Sequence, residues 1–187
     1  MSEEKFPEPL EEVYLAERIL LESNYHYWIE HVLFTFNWWF LLALTIVPWI
    51  IWFRLVDRNR LLEISFIGAI VATTAIILDT IGTSLQLWSY GYKLVQMISP
   101  LYPIDLSLLP VLFMLLYQWF TTWKAYIISQ TILAALGSFV AEPLFIWLGI
   151  YILHEWEIYY SFPIYIALAI IFKGLVEKLK ANQAYDK

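Results

Sequence analysis

The sequence predicts an all-α integral membrane protein: a helical bundle of five transmembrane helices preceded by an N-terminal amphipathic helix. The composition is one reason, because 61% of the 187 residues are hydrophobic and 15% are charged, whereas soluble proteins average about 45–50% and about 25%. A second reason is the presence of five apolar runs, each able to cross a hydrocarbon core of about 30 Å. The 19% aromatic content agrees, since Trp and Tyr concentrate at membrane interfaces.

The first segment, residues 1–31, is an acidic tail that contains the amphipathic helix. It holds eight acidic residues against Lys5 and Arg18, so this segment alone carries a net charge of −6. Apolar residues recur at rough helical spacing from about 10 to 30, which predicts a helix lying at the membrane interface. The acidic start lacks a basic region followed by an early apolar core, so we expect no cleavable signal peptide.

The membrane domain follows at residues 32–176. Its five predicted spans are 32–53, 64–87, 105–123, 125–153 and 160–176. Only Lys124 separates the third span from the fourth, which predicts a tight helical hairpin. Residues 177–187 form a short tail.

Basic residues predict the orientation. If the loop with Arg54, Arg58 and Arg60 is cytoplasmic, eight of the 11 Lys and Arg residues lie inside. The positive-inside rule then favours a multi-pass protein of the bacterial plasma membrane, with its N-terminus outside and its C-terminus, residues 177–187, in the cytoplasm.

Two acids interrupt the apolar spans, Asp79 in the second and Glu142 in the fourth. Counted along their helices, both lie in the outer leaflet. Each follows small residues at i, i+3 and i+4 steps, so both should lie on packing faces rather than towards lipid. Pro143 should break the helix beside Glu142. Together with polar residues at similar depth, these acids form a predicted polar layer: Asn37, Asp79, Gln86, Asp105 and Glu142.

Three interpretations of this layer stay open. The acids could hold the bundle together through hydrogen bonds, or belong to a proton or cation pathway. Alternatively, Asp79 and Glu142, with Asp105 as a third candidate, could be a catalytic acid–base pair that acts on a lipid-soluble substrate. Ionisable groups inside a span are functional candidates in each case.

Other chemistry is not indicated. The chain has no Cys, so thiol catalysis and disulfides are excluded. His26 and His31 are five residues apart, which does not place them on one helix face, and no metal site or other cofactor is predicted. The net charge of −6 and the absence of a basic patch argue against nucleic acid as a partner. The expected partners are the lipid bilayer and a lipid-soluble ligand.

Several motifs together resemble a known family. They are Pro48-Trp49-x-x-Trp52, Val56-Asp57-Arg58-x-Arg60-Leu61-x-Glu63, Asp79-x-x-Gly82 with Trp88-x-Tyr90, Pro103-Ile104-Asp105 through Pro110-Val111-x-Phe113-Met114 to Tyr117-Gln118, and Ser138-Phe139-x-x-Glu142-Pro143. Over residues 38–166 the chain resembles an uncharacterised family of small multi-spanning membrane proteins from endospore-forming Gram-positive bacteria. The resemblance implies a membrane protein and no particular activity.

A fainter likeness is to the membrane domains of carotenoid cyclases. Those domains also have an acid, a Gly, a Trp-x-Tyr and a Pro-x-acid loop. Here Pro103-Ile104-Asp105 lacks the second acid of the cyclase motif. The leading hypothesis is therefore an integral membrane protein of unknown activity, rather than an enzyme, built around a structural polar layer. The alternatives are an enzyme or binder of a polyprenyl or other lipid and, third, a transporter.

Overall fold

A computed structural model describes residues 8–185, which form an all-α fold with one small sheet. Four helical stretches are long and apolar enough to cross a membrane: Phe36–Leu55, Arg58–Ser84, Trp123–Trp147 and Ile158–Asn182. Large apolar side chains are exposed all along them. A soluble protein rarely leaves so much contiguous apolar surface in water, so this surface is suited to lipid. These features are compatible with a multi-pass membrane protein.

Helix α1, Glu8–Tyr27, is the predicted amphipathic helix, and most of its side chains are exposed. A π-helical turn, Trp28–Val32, extends it. The Trp28 indole in this turn donates to the Leu94 carbonyl at 2.9 Å, which attaches the C-terminal end of α1 to the bundle. Residues 1–7 and 186–187 of the two predicted tails lie outside the described residues.

Helices α2, Phe36–Leu55, and α3, Leu61–Ser84, correspond to the first two predicted spans. The Thr35 side chain caps the start of α2 by accepting from the Trp38 amide at 3.3 Å. A single 3₁₀ turn, Arg58–Arg60, joins the two helices. They are therefore antiparallel neighbours with a short connection.

The third predicted span does not reach full length, so the count of five spans is not confirmed. A π-helical segment, Pro103–Leu108, runs directly into α4, Leu109–Trp119. At 1.5 Å per residue these 17 residues cover about 26 Å, less than a hydrocarbon core of about 30 Å. The preceding residues, 91–102, form an irregular loop that packs into the bundle, since its residue Leu101 is buried.

The fourth predicted span ends six residues earlier than expected. It consists of α5, Trp123–Leu136, a π-helical segment, Gly137–Ala141, and α6, Glu142–Trp147. The chain then turns at Gly149, where φ is +70°. Instead of continuing as helix to residue 153, it forms strand β2, Tyr151–Leu153, which pairs antiparallel with β1, Trp88–Tyr90. The sequence did not predict this sheet.

Helix α7, Ile158–Tyr185, closes the bundle. We call the side with the two strands the hairpin end and the side with the α4–α5 turn, residues 120–122, the opposite end. At the opposite end Lys173 is 1% exposed and donates to the Phe120 and Thr121 carbonyls at 3.4 and 2.7 Å. Glu63 accepts there from Arg60 at 3.1 Å and from Lys180 at 2.9 Å, joining α3 to α7.

Candidate functional site

A cavity of about 360 Å³ lies towards the hairpin end of the bundle. Side chains of α3, the Pro103–Leu108 segment, α4, the α5–α6 stretch and α7 form its wall. Most lining residues are apolar, and the charged ones are three acids, Asp79, Asp105 and Glu142, with no Lys, Arg or His among them. Its volume is within the range of about 300–1,000 Å³ that is usual for small-molecule pockets.

Asp79 is 5% exposed, and both oxygens of its carboxyl are occupied by donors from the hairpin end. Oδ1 accepts from the Trp88 indole at 2.7 Å and the Tyr90 hydroxyl at 2.6 Å, and Oδ2 accepts from the Leu101 amide at 2.7 Å. A buried carboxylate is tolerated when it receives several hydrogen bonds. Asp79 therefore anchors strand β1 and the loop that ends at Leu101 to α3.

Gly82 makes this anchoring sterically possible. It lies one turn after Asp79 on α3, and a Cβ at this position would overlap the six-membered ring of Trp88. Without that Cβ the indole packs closely against the helix and its N–H reaches Asp79. The spacing Asp79-x-x-Gly82 and the Trp88-x-Tyr90 pattern are thus parts of one structural unit.

Asp105 provides the carboxyl next to that of Asp79, within hydrogen-bonding reach of it. It lies in the π-helical segment Pro103–Leu108, is 7% exposed, and its Oδ2 has no hydrogen-bond donor. Asp79 and Glu142, which the sequence offered as one candidate pair, line the same cavity, and the carboxyl within reach of Asp79 is that of Asp105. The sequence could not show this because the 91–102 loop, not a helix, positions Asp105.

Glu142 lines the cavity at the point where the π-helical segment Gly137–Ala141 passes into α6. Pro143 has no amide hydrogen, so the preceding turn must rearrange its hydrogen bonds, as the sequence predicted. Glu142 Oε1 accepts from the Tyr165 hydroxyl of α7 at 3.1 Å. Its Oε2 is buried without any hydrogen-bond donor.

The other two residues of the predicted polar layer are elsewhere. The Asn37 amide donates to the Leu148 carbonyl at 2.8 Å and joins the start of α2 to the end of α6. Gln86 is exposed in the turn after α3, and its backbone has a left-handed conformation with φ of +54°. Neither lines the cavity, so the three acids are the members of the predicted polar layer that do.

Sequence reasoning missed several polar residues of the wall. Tyr90, Tyr151 and Tyr165 line the cavity beside the acids. Gln130 lines it 12 residues before Glu142 on the same helical stretch, is 2% exposed, and has an unpaired Nε2. Burial, together with the nearby acidic charges, raises the pKa of the Tyr90 and Tyr151 hydroxyls, so both stay protonated and can donate hydrogen bonds at neutral pH. The signal available for Tyr90 was the Trp88-x-Tyr90 pattern, whereas nothing in the sequence distinguished Tyr151 or Tyr165 from interface tyrosines.

The cavity reaches the apolar outer surface of the bundle. Leu78 and Ile81 of α3 belong to its wall and are also 41% and 49% exposed. Within residues 8–185, no three His, Asp or Glu side chains are grouped so that they could hold a metal ion. The arrangement is suited to a mostly apolar molecule that enters from the surrounding apolar phase and meets a few polar groups inside.

The chain matches no protein-family model, no curated protein and no solved structure. The geometry of the cavity is therefore what bears on function.

Proposed function

We propose that this chain is a multi-pass protein of the bacterial plasma membrane that binds a lipid-soluble molecule in the cavity lined by Asp79, Asp105 and Glu142. The proposed orientation has the N-terminus and the hairpin end outside and the C-terminus inside. The single observation that carries the proposal is a largely apolar cavity with unpaired polar atoms in its wall. Such a combination is the usual form of a small-molecule site.

Five crossings are consistent with the short third helix. The chain ends α3 at the hairpin end and begins α5 at the opposite end, so it must return between Ser84 and Trp123. The 91–102 loop descends to the depth of Asp79, and the Pro103–Trp119 stretch covers the remaining distance. Irregular backbone at membrane depth is tolerated when it is buried in protein, and Asp79 satisfies one of its amides.

The orientation is supported by the grouping of the basic residues. Arg60, Lys173 and Lys180 make contacts at the opposite end, where Arg54 in the last turn of α2, Arg58 in the 3₁₀ turn and Lys124 in the first turn of α5 also lie. A cluster of this kind favours the cytoplasmic side.

The three acids divide into two roles. Asp79 receives three donors from the protein itself, which is the arrangement expected of a structural group. Glu142 Oε2 and Asp105 Oδ2 receive none, although a buried acceptor without a donor is costly. A bound molecule can supply the missing donor. The structural interpretation therefore fits Asp79, and the binding interpretation fits Glu142 and Asp105.

The test is a matched pair of cavity variants on α5. Ala134 lines the cavity and Ala135, the next residue, does not. We expect that Ala134→Phe fills the cavity, whereas Ala135→Phe leaves it open. Lipid extracts of the purified proteins, compared by mass spectrometry, should show a molecule enriched with the wild-type protein and Ala135→Phe and at least tenfold depleted in Ala134→Phe. Equal lipid content in all three folded proteins would overturn the proposal.

A second candidate function is proton transfer to the bound molecule. It is favoured by the adjacent carboxyls of Asp79 and Asp105 at the cavity wall. Two adjacent carboxyl groups can act as an acid and a base towards a bound molecule when one of them carries a proton. Infrared spectra at neutral pH should then contain a protonated carboxyl band that is lost in Asp105→Asn but kept in Glu63→Gln, a control at the opposite end. No change in that band would remove this candidate.

A further inference from the structure

A groove of about 760 Å³ lies on the exposed surface of α2, towards the opposite end of the bundle. Its wall shares no residue with the cavity of the three acids. We propose that this groove binds an anionic phospholipid, with the phosphate group between Arg54 and Arg58 and one acyl chain along the apolar part of the groove. This second site is independent of the proposed function.

The apolar part of the groove follows one strip of α2. Ile46 and Ile50 are one helical turn apart, and so are Trp49 and Phe53. All four side chains line the groove and are 37–67% exposed, whereas the buried residues of α2 are different ones. From Ile46 to Arg54 the helix rises about 12 Å, which is most of the about 15 Å that one leaflet contributes to the hydrocarbon core. An acyl chain can therefore lie along the strip.

Arg54 and Arg58 form the charged end of the groove. Arg54 is in the last turn of α2 and Arg58 is in the 3₁₀ turn that follows. Both are exposed, and neither side chain makes a hydrogen bond or an ion pair with another residue of the 8–185 range. A guanidinium group has five donors in a planar fork that matches the oxygens of a phosphate. A phosphodiester between the two arginines would supply the acceptors that the protein does not.

Other basic side chains at this end already have partners. Arg60 and Lys180 donate to Glu63, and Lys173 donates to backbone carbonyls of the α4–α5 turn. No acid lines the groove. Asp57 is close in sequence, but it lies outside the groove wall and accepts from a backbone amide at 3.0 Å. The positive charge of the groove is therefore available to a ligand.

This charge distinguishes between phospholipid headgroups. Phosphatidylglycerol carries the phosphate charge alone, which the arginines can offset. Phosphatidylcholine carries a choline cation beside its phosphate, and that cation would repel Arg54 and Arg58. One Arg near the membrane surface favours an anionic lipid by about fivefold. The groove should therefore prefer an anionic phospholipid to a zwitterionic one.

The experiment uses two photoreactive phospholipids that carry the same diazirine on one acyl chain, a phosphatidylglycerol and a phosphatidylcholine. The full-length protein is reconstituted into phosphatidylcholine vesicles with a trace of either probe in both leaflets, irradiated and digested, and the labelled residues are mapped by mass spectrometry. We expect the phosphatidylglycerol probe to label Ile46 and Ile50 at least about fivefold more than the phosphatidylcholine probe. Since the probe is in both leaflets, the orientation of the protein does not affect this ratio.

Arg54→Gln and Arg58→Gln should each lower the labelling ratio severalfold. Neither substitution removes a hydrogen bond or an ion pair within residues 8–185, so the melting temperatures should stay close to that of the wild-type protein. Lys124→Gln is the matched control, because it removes an exposed positive charge from the same end but outside the groove. It should leave the ratio unchanged.

Equal labelling of the groove by the two lipids would overturn the anionic-lipid site, and so would a lack of groove labelling by both. An equal fall of the ratio in Lys124→Gln and in the arginine variants would also overturn it, because a general charge effect of this end does not require the groove. The cavity of the three acids is tested separately by the Ala134 and Ala135 variants, so failure of one site leaves the other in place.

Discussion

The Asp79 carboxyl receives its three hydrogen bonds from Trp88, Tyr90 and Leu101, which lie 9 to 22 residues further along the chain. One side chain thereby fixes a strand and an irregular loop against a helix. Each donor is removed from water or lipid by the contact, so the carboxylate and its donors depend on one another. Loss of the carboxylate would leave three donors unpaired at once.

Substitutions at Asp79 should show this dependence in graded form. Asp79→Asn keeps one acceptor oxygen for Trp88 and Tyr90 but turns an NH₂ group towards the Leu101 amide, so we expect a loss of about 1 kcal/mol. Asp79→Leu removes all three acceptor contacts and should cost about 3 kcal/mol. Unfolding titrations in detergent measure both. Equal stability of the Asn and Leu variants would contradict the hydrogen-bonded arrangement.

Lys93 should make stability depend on pH at the hairpin end. Burial lowers the pKa of its amine to about 8, while the nearby Asp79 charge partly opposes the shift. Between this pKa and the ordinary value of 10.5 the unfolded chain binds the extra proton, so stability should rise with pH across that interval. Below pH 8 both states are protonated and the contribution is constant.

The check compares melting temperatures of the wild-type protein and Lys93→Gln from pH 7 to pH 10.5. As the pH rises above about 8, the melting temperature of the wild-type protein should increase relative to that of Lys93→Gln. Lys124→Gln, at an exposed position of the opposite end, serves as the control. If both variants show the same pH profile, the burial of the Lys93 amine has no such effect.

Asp79, Asp105 and Glu142 were found from the sequence because acids in apolar runs are conspicuous. Their partners were not, since the hydroxyl groups of Tyr90 and Tyr165 reach them only through tertiary packing. The pairing of Asp79 with Asp105 also depends on a loop whose path has no helical periodicity from which to predict it. Depth along a helix could be estimated, but contacts across the bundle could not.

The positions of the helices could be predicted from the hydropathy of the chain. Their ends and interruptions depend instead on local backbone chemistry, such as proline and glycine residues. Pro143 correctly indicated a break beside Glu142, which takes the form of a π-helical segment. A second π-helical segment contains Asp105 and precedes Pro110. Such segments are frequent at functional sites. Residues 148–153 looked like more of the fourth span because they are apolar, yet Gly149 and strand pairing end the helix first.

At the opposite end, Lys173 takes the place of a missing helix cap. The Phe120 and Thr121 carbonyls, directly after the end of α4, lack helical donors, and the Lys173 ammonium group supplies their hydrogen bonds. Its position 4.6 Å from the centre of the Tyr126 ring adds a cation–π contact.

Lys173→Met should therefore destabilise the α4–α5 turn. It keeps the apolar stem but removes the donors, and we expect a loss of about 1–3 kcal/mol in detergent unfolding. Lys178→Met on the same helix changes an exposed side chain and should have little effect. Equal stability of the two variants would show that the Lys173 hydrogen bonds contribute nothing.

At the level of the whole molecule, the membrane topology depends on how many times the chain crosses the bilayer. Composition and hydropathy predicted an all-α membrane bundle because they sum over many residues, and the structure contains four helices that are long enough to span. The remaining crossing could not be judged from hydropathy, because it combines a loop with a short helix. An experiment on sidedness decides it.

The native chain has no Cys, so single cysteines can report sidedness directly. Ser89 and His154 are at the hairpin end and should react with an impermeant thiol reagent in intact cells. Asn59 and Lys124, exposed at the opposite end, should react only after permeabilisation. Labelling of Asn59 from outside would reverse the orientation, and labelling of Asn59 and Lys124 on different sides would contradict the five crossings.

Because the rim of the cavity at Leu78 and Ile81 is exposed on the apolar surface, the affinity of the cavity for a ligand has to be expressed relative to the lipid phase. A molecule that enters between lipid tails never passes through bulk water, so occupancy depends on its mole fraction in the bilayer rather than on its aqueous concentration. A very apolar compound is concentrated in the lipid by partitioning before it meets the protein. Even a weak intrinsic preference for the cavity can then give high occupancy, and enlarging the lipid phase at constant ligand amount should empty the site by dilution.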